Sequence, residues 1–273
     1  MKINYRPEID GLRAIAVSLV VFYHAEITIK GRAFFSGGFI GVDIFFVISG
    51  YLITSIILKE LFINQSFSFK NFYERRIRRI LPVLLFVMLA SMPFAWICLS
   101  PITFIDFSKS ILYSLGFASN LYFYFSGLEY GELNGFYKPF LHTWSLAVEE
   151  QYYILFPLFF FIIFKYLKKY FFLTIFLCLV FSLLFADYGS KNFSSLNFYI
   201  LPTRIWELLF GSILAYYEIH NKSLPANKVV STIFQVLGLI LIGYSSLFFD
   251  NSTRHPSYYT LVPVIGVVLI IFF

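Results

Sequence analysis

The chain holds an arginine and a histidine 11 residues apart inside one apolar run, Arg13-Ala-Ile-Ala-Val-Ser-Leu-Val-Val-Phe-Tyr-His24. On an α-helix that separation is about 1100° of rotation, within ~20° of three full turns, so both side chains fall on one face roughly 16 Å apart. An imidazole exchanges a proton near neutral pH and can act as general base toward a hydroxyl. A lone histidine in such a run can equally be structural, satisfied by a neighbouring carbonyl. The next run opens Gly37-Gly38-Phe-Ile-Gly41-Val-Asp43 and continues to Ser49-Gly50-Tyr51. Asp43 is expected at a depth comparable with His24, where its carboxylate would orient the ring and raise its basicity. Gly37, Gly38, Gly41 and Gly50 are expected to let helices pack closely.

Further along, Phe72-Tyr-Glu74-Arg75-Arg76-Ile-Arg78-Arg79-Ile80-Leu81-Pro82 concentrates guanidinium groups at the start of an apolar run. Such a cluster anchors a membrane helix on its positive side, and its forks also suit phosphate oxygens. Arg75, Arg78 and Arg79 share one helix face, and Arg76 and Arg79 another. A phosphate-bearing cytosolic ligand such as coenzyme A fits that chemistry. The segment Phe140-Leu-His142-Thr-Trp144-Ser145-Leu-Ala-Val-Glu149-Glu150-Gln151 mixes acids with aromatics. Glu149 and Glu150 point about 100° apart on a helix, so at least one should face the interior. Arg204 and Glu207 form a charge pair three residues apart in a further apolar run, where the two can simply neutralise each other.

These residues need a membrane to position them. The sequence is 59% hydrophobic and 13% charged, with mean hydropathy +0.77, against about 25% charged in soluble domains. Eight near-uncharged runs match the ~30 Å hydrocarbon core: 11–29, 38–58, 80–99, 145–164, 171–187, 199–219, 229–249 and 260–273. A ninth, 102–126, carries Asp106, Lys109 and Asn120 and is expected to lie at the outer interface or dip in and out. With the N-terminus inside, the inner loops hold Lys2, Arg6, Arg13, Lys59, Lys70, Arg75, Arg76, Arg78, Arg79, Lys165, Lys168, Lys169, Lys222 and Lys228. Outside lie Lys30, Arg32, Lys109, Lys138, Lys191 and Arg254, less than half as many, with Arg204 inside a span. The net charge of +6 is thus topological and implies no nucleic acid. Cys98 and Cys178 read as buried small hydrophobes, with no disulfide or metal framework. The polar stretch Met1–Asp10 argues against a cleaved signal peptide. The fold class is all-α, a polytopic transmembrane bundle of about 8–9 spans forming one domain over 1–273. Its last run stops at Phe273 in mid-span, so a truncated C-terminus is expected.

Together the motifs resemble the acyltransferase 3 family of integral membrane acyltransferases. Tyr5-Arg6-Pro7-Glu8-Ile9-Asp10-Gly11-Leu12-Arg13-Ala14 with His24 is similar to its R-x10-H signature. Gly41-Val-Asp43-Ile-Phe-Phe-Val-Ile-Ser49-Gly50-Tyr51, Arg76-Ile-Arg78-Arg79 and His142-Thr-Trp144-Ser-Leu-Ala-Val-Glu149-Glu150-Gln151 resemble three further blocks, in order, and the likeness runs to about Gly211. The resemblance implies transfer of an acyl group, commonly acetyl, from acetyl-CoA or another cytosolic acyl-CoA to a hydroxyl of a surface glycan. Lipopolysaccharide O-antigen, peptidoglycan and exopolysaccharide are the candidate acceptors. It implies a catalytic His24, with Asp43 and Glu149 beside it as catalytic candidates. Arg13, Arg76 and Arg79 are implied donor contacts, to which the helix faces add Arg75 and Arg78. His142, Trp144, Ser145, Glu150, Arg204 and Glu207 are acceptor-side or structural candidates. No bound cofactor or metal is expected. The partners are acyl-CoA, a glycan, the lipid bilayer and other cell-envelope assembly proteins, and the location is the cell membrane with a cytoplasmic N-terminus. The rivals are a transporter, for which internal symmetry is missing, and a non-catalytic component of a polysaccharide assembly complex.

Overall fold

The computed structural model describes residues 6–29, 32–64, 66–127, 138–221 and 227–273. Lys2, Tyr5, Lys30 and Lys222 lie outside the described residues, as do the side chains of Arg32 and Lys168. Each of the eight apolar runs becomes a helix. These are α1 (Pro7–His24), α2 (Gly41–Asn64), α3 (Phe69–Cys98), α6 (Thr143–Tyr166), α7 (Phe171–Asn192), α9 (Ile205–Asn221), α10 (Lys228–Phe248) and α11 (Leu261–Phe272). Between them lie α4 (Pro101–Leu115), α5 (Ser119–Phe125) and α8 (Ser194–Tyr199). Thr28–Ile29 and Arg32–Ala33 form a two-residue antiparallel pairing. Among the described residues five helices are long and apolar enough to cross a membrane: α2 with its preceding turn, α3, α6, α7 and α10. The chain is a membrane protein, and its outward apolar side chains agree: Phe86 on α3, Phe181 on α7 and Phe248 on α10 are each about 70% exposed.

Helix ends follow local chemistry. Pro7 and Pro101 occupy first-turn positions, where a missing N–H costs nothing. Ser68 and Ser100 accept from the amides of Asn71 and Thr103, and Asn227 from that of Val229. The ninth apolar stretch is not one helix. Phe117 takes a left-handed backbone (φ 51°) and breaks it into α4 and α5, of 15 and 7 residues. Two expectations are corrected. The run 199–219 starts its helix only at Ile205, because Leu201–Thr203 forms a 3₁₀ turn with Pro202 in it, so Arg204 sits at the mouth of α9. Cys98 is exposed at the end of α3, and Cys178 is only partly buried.

The described chain divides into two compact units, residues 1–58 with 155–273, and residues 59–154. In the first, small residues bring helix backbones into contact, as expected for Gly41 and Gly50. A Cβ on Gly50 would stand 1.8 Å from the Leu208 carbonyl oxygen, and one on Gly211 2.0 Å from that of Val47. Beside them Thr54 Oγ1 donates to Ser212 Oγ at 2.8 Å, joining α2 to α9. At one end of this unit Arg6 donates to the Tyr51 hydroxyl (2.6 Å), to Glu218 (2.8 Å) and to the Ile271 carbonyl, tying α1 to α2, α9 and α11.

In the second unit Leu84, Met88, Ala95, Phe107, Ile111 and Phe140 form an apolar core. Polar side chains then fix α4 and α5 to the start of α6. Ser119 Oγ donates to the Thr143 carbonyl (2.9 Å), and Asn120 and Gln151 exchange amide hydrogen bonds at 2.9 and 3.3 Å. The unit holds its helices by hydrogen bonds where the first uses glycine contacts.

Gly50→Ala is expected to force α2 and α9 apart, at about 1–3 kcal/mol or more. Gly11→Ala, with nothing within 4 Å of the new methyl, should be neutral or slightly stabilising. Thermal unfolding of the purified protein in detergent, followed by size-exclusion fluorescence, separates the two; equal midpoints would remove the close-contact role of Gly50.

Candidate functional site

The first unit contains a fully buried ionic cluster. Asp43 in the first turn of α2, Arg204 at the mouth of α9 and Glu207 in the first turn of α9 have no solvent exposure. Arg204 Nη1 donates to Asp43 Oδ1 at 3.0 Å and to Glu207 Oε1 at 3.2 Å. Its Nε donates to the Phe198 carbonyl (3.2 Å), and the guanidinium lies 4.9 Å from the Phe198 ring centroid. The Arg204–Glu207 neutralisation expected from sequence is present, with Asp43 as a second acid.

The fourth member, His255, comes from the loop between α10 and α11. Its Nε2 stands 2.9 and 3.1 Å from the two Asp43 oxygens, and its Nδ1 3.2 Å from Arg204 Nη2. The tautomer with hydrogen on Nε2 satisfies both contacts, donating to Asp43 and accepting from Arg204. Burial, and then the neighbouring guanidinium, push this imidazole well below its ordinary range and keep it neutral. His255 is not legible in the sequence as a site residue, because it lies in a polar loop where an ionisable group is ordinary, and not inside an apolar run. The available signal was scarcity, since the chain has four histidines.

The imidazole expected on Asp43 was that of His24; the structure gives Asp43 His255 instead. The physical reason is the buried Arg204, which draws the carboxylate of α2 toward α9. His24 is the last residue of α1 and is exposed, with its ring edge-on to Tyr23 at 5.2 Å. α1 runs unbroken from Pro7, so Arg13 and His24 keep their common face. Arg13 is partly exposed and bonded to Asp10 at 2.9 Å.

In the second unit the arginine run divides by direction. Arg75 pairs with Glu60, and Arg78 with Glu74 at 2.6 Å, all toward the surface, where Arg79 is also exposed. Arg76 turns inward, its guanidinium 4.7 Å from the Tyr153 ring centroid and 5.9 Å from that of Phe72. The Tyr153 hydroxyl donates to Glu149 at 2.7 Å, so two sequence motifs meet in this unit. Glu150 is the buried acid of its pair, at 7% exposure, and its Oε1 has no hydrogen-bond partner among the described residues. Trp144 is packed in the interior, His142 is exposed, and Ser145 donates to the His142 carbonyl at 3.3 Å, closing a local turn. Among the described residues no group of three or more His, Cys, Asp and Glu could hold a metal ion.

Residues 6–273 match the family described as an acyltransferase domain, acyltransferase 3. The chain belongs to this family. It is 35% identical over 284 residues to the O-acetyltransferase OatA of Staphylococcus aureus strain NCTC 8325, covering 93% of this chain and 46% of that protein. It is 33% identical over 280 residues to the peptidoglycan O-acetyltransferase OatA of Listeria monocytogenes serovar 1/2a, covering 98% of this chain and 44% of the relative. The chain therefore spans a little under half the length of these family members. No solved structure matches it.

Removing one partner of the buried cluster leaves an uncompensated charge, at about 3–5 kcal/mol. Arg204→Gln is expected to collapse the folded fraction in size-exclusion fluorescence, whereas Arg78→Gln, at an exposed pair, should leave it within error. Equal behaviour of the two variants would mean the cluster is not holding the unit together.

Proposed function

We propose that this chain is a membrane O-acyltransferase domain that moves an acetyl group from a cytosolic acyl-CoA to a hydroxyl of a cell-wall glycan. Peptidoglycan is the favoured acceptor, after the activity for which the Listeria relative is named. The observation that carries the reading is a family match over residues 6–273 with His24 exposed at the end of the helix whose same face bears Arg13. In this reading the N-terminus is cytoplasmic, Arg13 lies toward the donor side and His24 toward the exported acceptor.

His24 removes the proton from the acceptor hydroxyl as its oxygen attacks the thioester carbonyl carbon. The new C–O bond forms and the C–S bond breaks. The leaving coenzyme A thiolate then takes the proton from the imidazolium, so the step is balanced without another reactant. A covalent variant, in which His24 carries the acyl group between donor and acceptor, balances in two halves through the same atoms. Arg79, exposed and not committed to an acid in any ion pair among the described residues, is the arginine of its run best placed to take a phosphate oxygen. Arg76, against the Tyr153 ring, keeps its implied place as a donor contact beside Glu149, to which the Tyr153 hydroxyl donates.

The decisive assay uses membranes containing the full-length protein, radiolabelled acetyl-CoA and purified peptidoglycan. Wild type is expected to place alkali-labile label on the glycan, and His24→Ala to lower the rate by about 10²–10⁴-fold with folded protein unchanged. Full activity in His24→Ala would remove the histidine from the chemistry. In the same assay Arg79→Gln should raise KM for acetyl-CoA roughly tenfold, at a charged hydrogen bond of about 1.5–3 kcal/mol, and change kcat little. An unchanged KM would mean that Arg79 does not meet the donor.

A further inference from the structure

The cluster around Asp43 and the end of α1 are joined by two side-chain routes, both inside the first unit. One is aromatic: the His255 ring lies 4.8 Å from Phe39, Phe39 lies 5.8 Å from Tyr23, and Tyr23 lies 5.2 Å from His24, each pair edge-on. The other is a hydrogen bond from the Tyr23 hydroxyl to Asn251 Oδ1 at 3.0 Å, and Asn251 belongs to the same loop as His255. That loop is tied at many points. Asp250 Oδ1 accepts from the Ser252 amide (2.9 Å) and hydroxyl (2.6 Å), Asn197 Nδ2 donates to the Pro256 carbonyl (2.9 Å), and Ser257 Oγ donates to the Arg254 carbonyl (2.6 Å). Ser36 Oγ also donates to the Phe249 carbonyl at 2.6 Å, bringing the chain just before α2 to the loop's first end.

His24 needs such support. It is the final residue of its helix, and two residues on Glu26 takes a left-handed backbone (φ 48°), so the chain turns away directly after the ring and its setting depends on what meets the helix end. A general base must stand about 2.6–3.2 Å from the proton it removes, and a misplacement of about 1 Å can cost ~100-fold in rate. We propose that His255 is a positioning residue for His24: bonded to Asp43 and Arg204, it fixes the α10–α11 loop, and the loop fixes Tyr23 and the histidine beside it through Asn251 and Phe39. The consequence for catalysis rests on the acyl-transfer reading of His24; the mechanical part does not.

His255→Phe keeps the ring and removes both hydrogen bonds, while His255→Gln keeps one donor and one acceptor without an imidazole. In membranes holding the full-length protein, Phe is expected to lower kcat about 10–100-fold per folded molecule, with KM for acetyl-CoA within about threefold. Gln should recover most of that loss. Independently of activity, the rate at which diethylpyrocarbonate modifies His24, read by mass spectrometry, should change in His255→Phe and return toward wild type in His255→Gln. Asn251→Ala, which cuts only the Tyr23 tether, should shift both readouts in the same direction by less, and serves if the Phe variant does not fold.

A His255→Phe protein with wild-type kcat and wild-type His24 modification overturns the proposal. So does a Gln variant as slow as Phe, which would make the imidazole itself a reacting group. If wild type transfers no acetyl, the functional reading fails; the modification rate of His24 then decides the mechanical claim alone, and no change in the Phe or Asn251→Ala variant overturns it.

Discussion

A guanidinium with no access to solvent must be met by partners, because an ion taken from water into a low-dielectric interior costs several kcal/mol even after relaxation. Arg204 is that group, and much of the first unit is arranged around it. It recruits Asp43 across 161 residues of sequence, while His255 reaches the same carboxylate from 212 residues away. Three chain segments that no local rule would bring together are held by one charge. The imidazole joins it in its neutral form, so the loop residue adds no further charge to bury.

The cluster can form only because the helices approach closely enough. Gly50 and Gly211 let α2 and α9 pack with carbonyl oxygens where side chains would otherwise stand. In lipid there is little hydrophobic gain from helix association, so packing and polar contacts carry it. Glycine contacts set the distance, and Asp43, Arg204 and the Thr54–Ser212 hydrogen bond supply the direction. The second unit solves the same problem with Ser114, Ser119, Asn120, Thr143 and Gln151, whose hydrogen bonds replace the water that burial excludes.

The family's motifs divide their labour accordingly. Asp43, conspicuous in the sequence beside a catalytic candidate, is committed to a buried arginine. Arg76, one of a run of similar residues, is singled out by turning toward Tyr153. Arg75 and Arg78 sit in exposed pairs that contribute little to stability, each committed to an acid of its own unit. Similar side chains a few residues apart thus have different tasks, set by which helix face meets a neighbour.

The all-α membrane architecture was legible in the sequence because hydropathy acts through length and composition alone, and each of the eight apolar runs became a helix. The shared face of Arg13 and His24 was legible too, since helical rotation is a local rule and α1 has no interruption. That one of Glu149 and Glu150 turns inward followed from the same geometry; that it is Glu150 did not. Tertiary structure alone decided what depends on partners far along the chain. It broke 102–126 at Phe117, moved Arg204 to the mouth of α9, and gave Asp43 to His255. A sequence records which groups cannot be left alone in a low-dielectric interior; which distant group answers each of them is a matter of three-dimensional distance, and only the folded chain contains that.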